Sequence, residues 1–123
     1  MNINEAITRA DALKGNDFDR SDKVAWLSEL DHKIYEEIVK THEGGEDVVF
    51  EGYTAESPAD TELLADRAYA ELYPAWLCAQ IDLHNSEIAK YNNSITQFNA
   101  LFQAFSRWYN RTHMPKSTYF TYF

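Results

Sequence analysis

Cysteine, glycine and proline are scarce in this chain, and bases are outnumbered nearly two to one by acids. The single cysteine, Cys78, excludes an internal disulfide and leaves no thiolate cluster to hold zinc. A small apolar side chain buried on a helix is the role that suits a lone thiol. Four glycines and three prolines in 123 residues are too few for the many tight turns of a sandwich or barrel, and favour long helices. No stretch is apolar for the length a bilayer crossing needs, and Met1–Glu5 shows no basic region leading into an apolar run. A soluble chain made in the cytoplasm is expected. Gly44-Gly45 lacks the lysine and serine of a phosphate loop, and no serine sits in a nucleophile elbow.

What is present is apolar and aromatic: 45% of the chain is hydrophobic and 15% is Phe, Trp or Tyr, enough for one compact domain over residues 1–123. The net charge of −9 is unevenly spread. Residues 1–66 hold 17 acids and 6 bases, or −11, whereas residues 67–123 hold 3 acids and 5 bases, or +2. An acidic surface repels duplex DNA, which disfavours a conventional DNA-binding role. A solvated helical face explains most of the acidity, and copies arranged in a ring would set acidic half against basic tail.

The apolar spacing predicts an all-α helical bundle. Ile3, Ala6, Ile7, Ala10 and Leu13 predict a short, peripheral helix ending at Gly15-Asn16. Asp19 or Ser21 caps a stronger helix from Asp22 to about Thr41, with Val24, Trp26, Leu27, Leu30, Ile34 and Ile38 on its buried face. Glu29–Lys33 and Glu36–Lys40 have the favourable i, i+4 orientation. The pattern breaks over an extended loop around residues 42–60, with a strand or extended piece near Asp47–Tyr53 and one or two helical turns over Thr61–Asp66. A long helical region then starts near Arg67, opened or kinked by Pro74. From Leu77 to Tyr109 the seam Leu77, Ile81, His84, Ile88, Tyr91, Ile95, Phe98, Phe102, Phe105, Tyr109 alternates four and three, as one helix or as two broken near Asn92-Asn93-Ser94. His84 reads as a satisfied core histidine.

Four histidines and 20 acids invite a search for a catalytic or metal site. The nearest approach is Glu36-Glu37 with Glu62 and Asp66, a loose match to the acidic pairs by which helical nucleotide hydrolases hold metal. No catalytic residue, cofactor or metal ligand is assigned. The chain from Asn110 onward is different: Arg111 and Lys116 precede four aromatics in five residues, Tyr119, Phe120, Tyr122 and Phe123. Burying those rings gains free energy of the same order as the entropy lost in fixing the segment, so it orders when something docks it. Residues 110–123 are therefore read as an extended docking arm, with Arg111, Lys116, Tyr119, Phe120, Tyr122 and Phe123 as its contacts, engaging a neighbour in preference to its own subunit.

Three stretches carry a family likeness: Asp22–Asp31 with Thr41-His42-Glu43-Gly44, then Asp60–Leu64, then Tyr91–Ser94 through Phe98-Asn99 to Tyr109–Lys116. The chain resembles the small structural proteins encoded in the head–tail gene blocks of tailed phages and prophages of Gram-positive bacteria, the head–tail connector or adaptor family. That resemblance implies an α-helical subunit of a ring, typically of twelve copies, set between the portal protein and the stopper or tail-completion protein, through which DNA passes without specific binding. It implies a virion protein without enzymatic activity, found in the host cytoplasm during assembly. A small helical enzyme of the metal-dependent nucleotide hydrolase kind, using Glu36, Glu37, Glu62 and Asp66, and a regulatory module dimerising through the 77–109 seam are the alternatives.

Overall fold

A computed structural model describes residues 1–45 and 47–114. Among these the secondary structure is helical, with no named strand and an isolated bridge between Asn2 and Glu62. The helices are α1 (Ile3–Leu13), α2 (Arg20–Ile34), α3 (Leu72–His84) and α4 (Ile88–Thr112).

α1 starts at a capping box: Asn2 Oδ1 accepts from the Glu5 amide at 2.8 Å, and Glu5 Oε1 accepts from the Asn2 amide at 3.0 Å. The expectation that α1 is peripheral is overturned. Ile3, Ala6, Ile7 and Ala10 are all buried, and the two alanines let α1 lie close against α3. Its N-terminal end is stitched to the chain at 59–63, with Ile3 N donating to Thr61 O, Asn4 N to Ala59 O, and Leu63 N to Met1 O, each at 3.0 Å.

α2 begins after Asp19 and buries Val24, Trp26, Leu27, Leu30, Asp31 and Ile34. Its last turn widens into a π-turn, Tyr35–Val39, where the Lys40 amide reaches back to Tyr35 O at 2.9 Å. The widening keeps Ile38 and Val39 inward. Of the two expected Glu-to-Lys pairs, Glu36–Lys40 forms at 3.3 Å, whereas Lys33 turns instead toward Glu37 at 4.0 Å and lies 5.5 Å over the Phe102 ring.

The connection from α2 to α3 is an extended strap. Tyr35 Oη donates to Val48 O at 3.0 Å, the Tyr53 amide donates to Ser28 Oγ at 3.0 Å, and Phe50 packs edge-on against His32 and Tyr53. The helical turns expected over Thr61–Asp66 do not form. Backbone groups there are claimed by α1 and by side chains: the Leu64 amide donates to Asp31 Oδ2 at 3.0 Å and the Ala65 amide to Tyr73 Oη at 2.7 Å. Only a short 3-10 turn, Arg67–Tyr69, precedes α3.

Pro74 lies in the first turn of α3, where its missing amide costs no hydrogen bond. α3 and α4 form a hairpin whose turn is Asn85-Ser86-Glu87, with Ser86 at φ 59°. The break thus falls seven residues before Asn92-Asn93-Ser94, which lie inside α4. At 25 residues α4 is about 37 Å long against about 20 Å for α3, so its second half runs past α3. That half packs Phe105 and Trp108 against Tyr69 and reaches the end of the π-turn, where His42 Nε2 lies 2.7 Å from Asn110 Oδ1. Leu77, Ile81, Phe98 and Phe105 of the predicted seam are buried, but His84 is exposed and stacks on Trp26 at 5.0 Å. His84 is therefore a surface residue instead of a core one, because the hairpin turn begins at the next residue.

Candidate functional site

The acidic residues proposed as a metal site are not brought together. Glu36 pairs with Lys40, Glu37 faces Lys33, Glu62 receives the Met1 amino group at 3.3 Å, and Asp66 Oδ1 caps the Ala68 amide at 3.0 Å. Among the described residues no three His, Cys, Asp or Glu side chains converge on one point. A cavity of about 470 Å³ beside Glu5 and Arg67 is edged by two ion pairs, Arg9 holding Glu71 at 2.8 and 3.0 Å and the Met1 amino group on Glu62 at 3.3 Å.

Two buried carboxylates are structural hubs that sequence reading passed over. Asp31 accepts from Tyr53 Oη, from Tyr73 Oη at 2.7 Å and from the Leu64 amide, which ties α2 to the strap and to α3. Burial pushes its carboxyl above the ordinary range, against the pull of those donors, and burial also raises both phenols, so Tyr53 and Tyr73 stay protonated as donors. A signal for Asp31 existed. With Val24, Leu27 and Ile34 it keeps the three-four spacing of a core face, where an acid demands partners. Asp82 is likewise buried, accepting from Ser94 Oγ at 2.6 Å and from Lys14 Nζ at 2.9 Å, and so joins the end of α1 to α3 and α4.

That Lys14–Asp82–Ser94 cluster borders a groove of about 390 Å³ between α1, α3 and α4. Leu13, Pro74, Ala75, Cys78 and Leu101 supply its apolar wall. Asn93 and Gln97 put amides on its rim. Leu13 is 66% exposed there, and burial pushes the Cys78 thiol above its ordinary value.

The other surface of interest is the far end of α4. Arg107 and Arg111 are exposed, and neither forms an ion pair with a described residue. Tyr109 stacks on His113 at 3.8 Å and meets His42 edge-on at 4.9 Å, so its ring is occupied within the fold and is not open for stacking a base. Met114 is 62% exposed, with its carbonyl accepting from the Glu43 amide at 2.7 Å. Of the predicted docking contacts, Arg111 stands in the last turn of α4, and Lys116, Tyr119, Phe120, Tyr122 and Phe123 lie outside the described residues. No helix among the described residues is long and apolar enough to cross a membrane. Neither a family model, a curated protein nor a solved structure matches the chain.

Proposed function

We propose that the chain is a subunit of a head–tail connector ring of a tailed phage or prophage, a virion protein that joins the portal to the stopper or tail-completion protein and acts by assembly instead of catalysis. The observation that carries this reading is the end of α4. It brings the chain to the molecular edge, with Arg111 and Met114 exposed, at the point where Lys116 and the aromatic residues Tyr119, Phe120, Tyr122 and Phe123 follow in sequence. A segment so rich in aromatic rings gains by docking on another protein surface. Arg107, Arg111 and Lys116 supply positive charge for the acidic surface of a neighbouring protein. An acidic surface also suits the wall of a channel through which DNA slides, because it repels phosphate instead of holding it.

The test is the mass of the purified chain in solution by light scattering, alone and mixed with the portal protein of the same phage genome. A ring mass, or a stable complex with the portal, is the expected result. A monomer or dimer indifferent to the portal would overturn the proposal.

A further inference from the structure

We infer that the strap between α2 and α3 is the docking edge for an extended segment of a different protein, one that carries basic side chains two residues to either side of an apolar one. The inference goes beyond the connector reading and holds whether or not the chain forms a ring.

The first observation is a piece of extended backbone held on one side and open on the other. Val48 and Phe50 are half-buried, whereas Val49 and Glu51, which alternate with them, are exposed. That alternation is the period of extended chain, in which the amide and carbonyl of one residue share an edge and those of the next take the opposite edge. Val48 uses both of its groups: its amide donates to Gly45 O at 3.1 Å and its carbonyl accepts from Tyr35 Oη at 3.0 Å. Val49 and Glu51 share the other edge, and their amides and carbonyls make no hydrogen bond with a described residue. The piece is fixed against α2 just beyond them. Gly52, at φ 94°, lies so close that a Cβ there would stand 2.9 Å from His32 Nε2 and 3.0 Å from Ser28 Oγ, and Tyr53 Oη anchors the chain on Asp31. An edge already fixed, with four unused backbone groups, is what strand addition requires, because little further ordering is needed on binding.

The second observation, the charge along that edge, selects the partner. Val49 is 78% exposed, more than any other large hydrophobic side chain among the described residues. Asp47 and Glu51 to either side of it are exposed and form no ion pair with a described residue. Antiparallel pairing of two straps about Val49 brings the Asp47 of each copy to the Glu51 of the other, a like-charge contact that opposes self-pairing. A segment with Lys or Arg, an apolar residue, and Lys or Arg at alternate positions meets the same edge with both charges matched. This chain holds one such spacing, Arg107, Tyr109 and Arg111, and it lies within α4, where the side chains are splayed round a helix instead of lined along one edge. The complement therefore belongs to a different protein.

The test uses the full ¹⁵N-labelled chain and two short blocked peptides at about millimolar concentration, Thr-Lys-Thr-Val-Thr-Lys-Thr and its counterpart with glutamate at both lysine positions, and follows the backbone amides by NMR. The lysine peptide is expected to shift the Val49 and Glu51 amides, to slow their exchange with solvent, and to bind about tenfold more tightly than the glutamate peptide. The double substitution Asp47→Lys and Glu51→Lys, at two exposed positions, reverses that preference with helical circular dichroism unchanged. Equal binding of the two peptides, shifts confined to residues outside the strap, or no shift would overturn the inference. Slow exchange at Val49 and Glu51 in the chain alone would do the same, since the edge would then already be covered. No portal or ring enters the measurement, so the connector reading stands or falls separately, by its mass.

Discussion

Asp31 gathers three donors on two oxygens in a position fully closed to solvent. The Tyr73 hydroxyl already accepts from the Ala65 amide, so its own proton points at Asp31 and its direction is fixed. Such an arrangement matches an ionised carboxylate, yet burial raises the carboxyl above its unfolded value of 3.8. The folded state therefore binds the proton more tightly than the unfolded chain. Stability from this group is present in full below pH 3.8 and is lost as pH rises through the raised folded value, beyond which it no longer changes. Asp31→Asn removes that slope and also turns an amide toward donors, at a cost of about 1–3 kcal/mol. Urea midpoints for both chains across a pH series should diverge in shape over this window. Parallel curves would remove Asp31 as the source.

Among the elements, the α3–α4 hairpin was half legible. Its apolar period predicted the helices, but the four-three spacing runs on through Ile81, His84 and Ile88, across the turn itself, so the period held no sign of where the chain reverses. Asn92-Asn93-Ser94 drew attention as poor helix formers. Ser94 is tolerated within α4 because its hydroxyl finds the buried Asp82, a partner distant in structure type though only 12 residues away. The turn is held by Ser86 at φ 59°, a conformation that costs a residue with a Cβ about 1–2 kcal/mol. Ser86→Gly removes this strain and, after the larger entropy loss of glycine, should raise stability by up to about 1 kcal/mol. Thermal unfolding checks it; a lowered midpoint would mean that the serine side chain contributes more than the strain removes.

For the whole molecule the question is what one copy presents to the next. The acidic 1–66 half and the basic 67–123 half are interleaved by packing, since α1 lies on α3 and Lys14 reaches Asp82, so the two-ended charge of the sequence does not become two poles of the fold. Arg107 and Arg111, which form no ion pair with a described residue, lie near the end of α4. Deleting Thr118–Phe123 removes the aromatic segment while leaving α1 to α4 whole. Helical circular dichroism should be unchanged, and association with other copies or with the portal should be abolished in sedimentation. A deletion variant that still assembles would place the contacts elsewhere.

Amphipathic period and the scarcity of glycine and proline determined the helical class and the inward faces of α1 and α2, and Leu77, Ile81, Phe98 and Phe105 on α3 and α4, because these depend on spacing within a few residues of chain. What only the tertiary structure decided are the long-range pairings: Asp31 with Tyr53, Tyr73 and Leu64, Asp82 with Lys14 and Ser94, the Thr61–Asp66 stretch held out of helix by its contacts, and the groove under Leu13. Each joins residues on different elements, and a buried polar group or an open groove exists only once those elements have met.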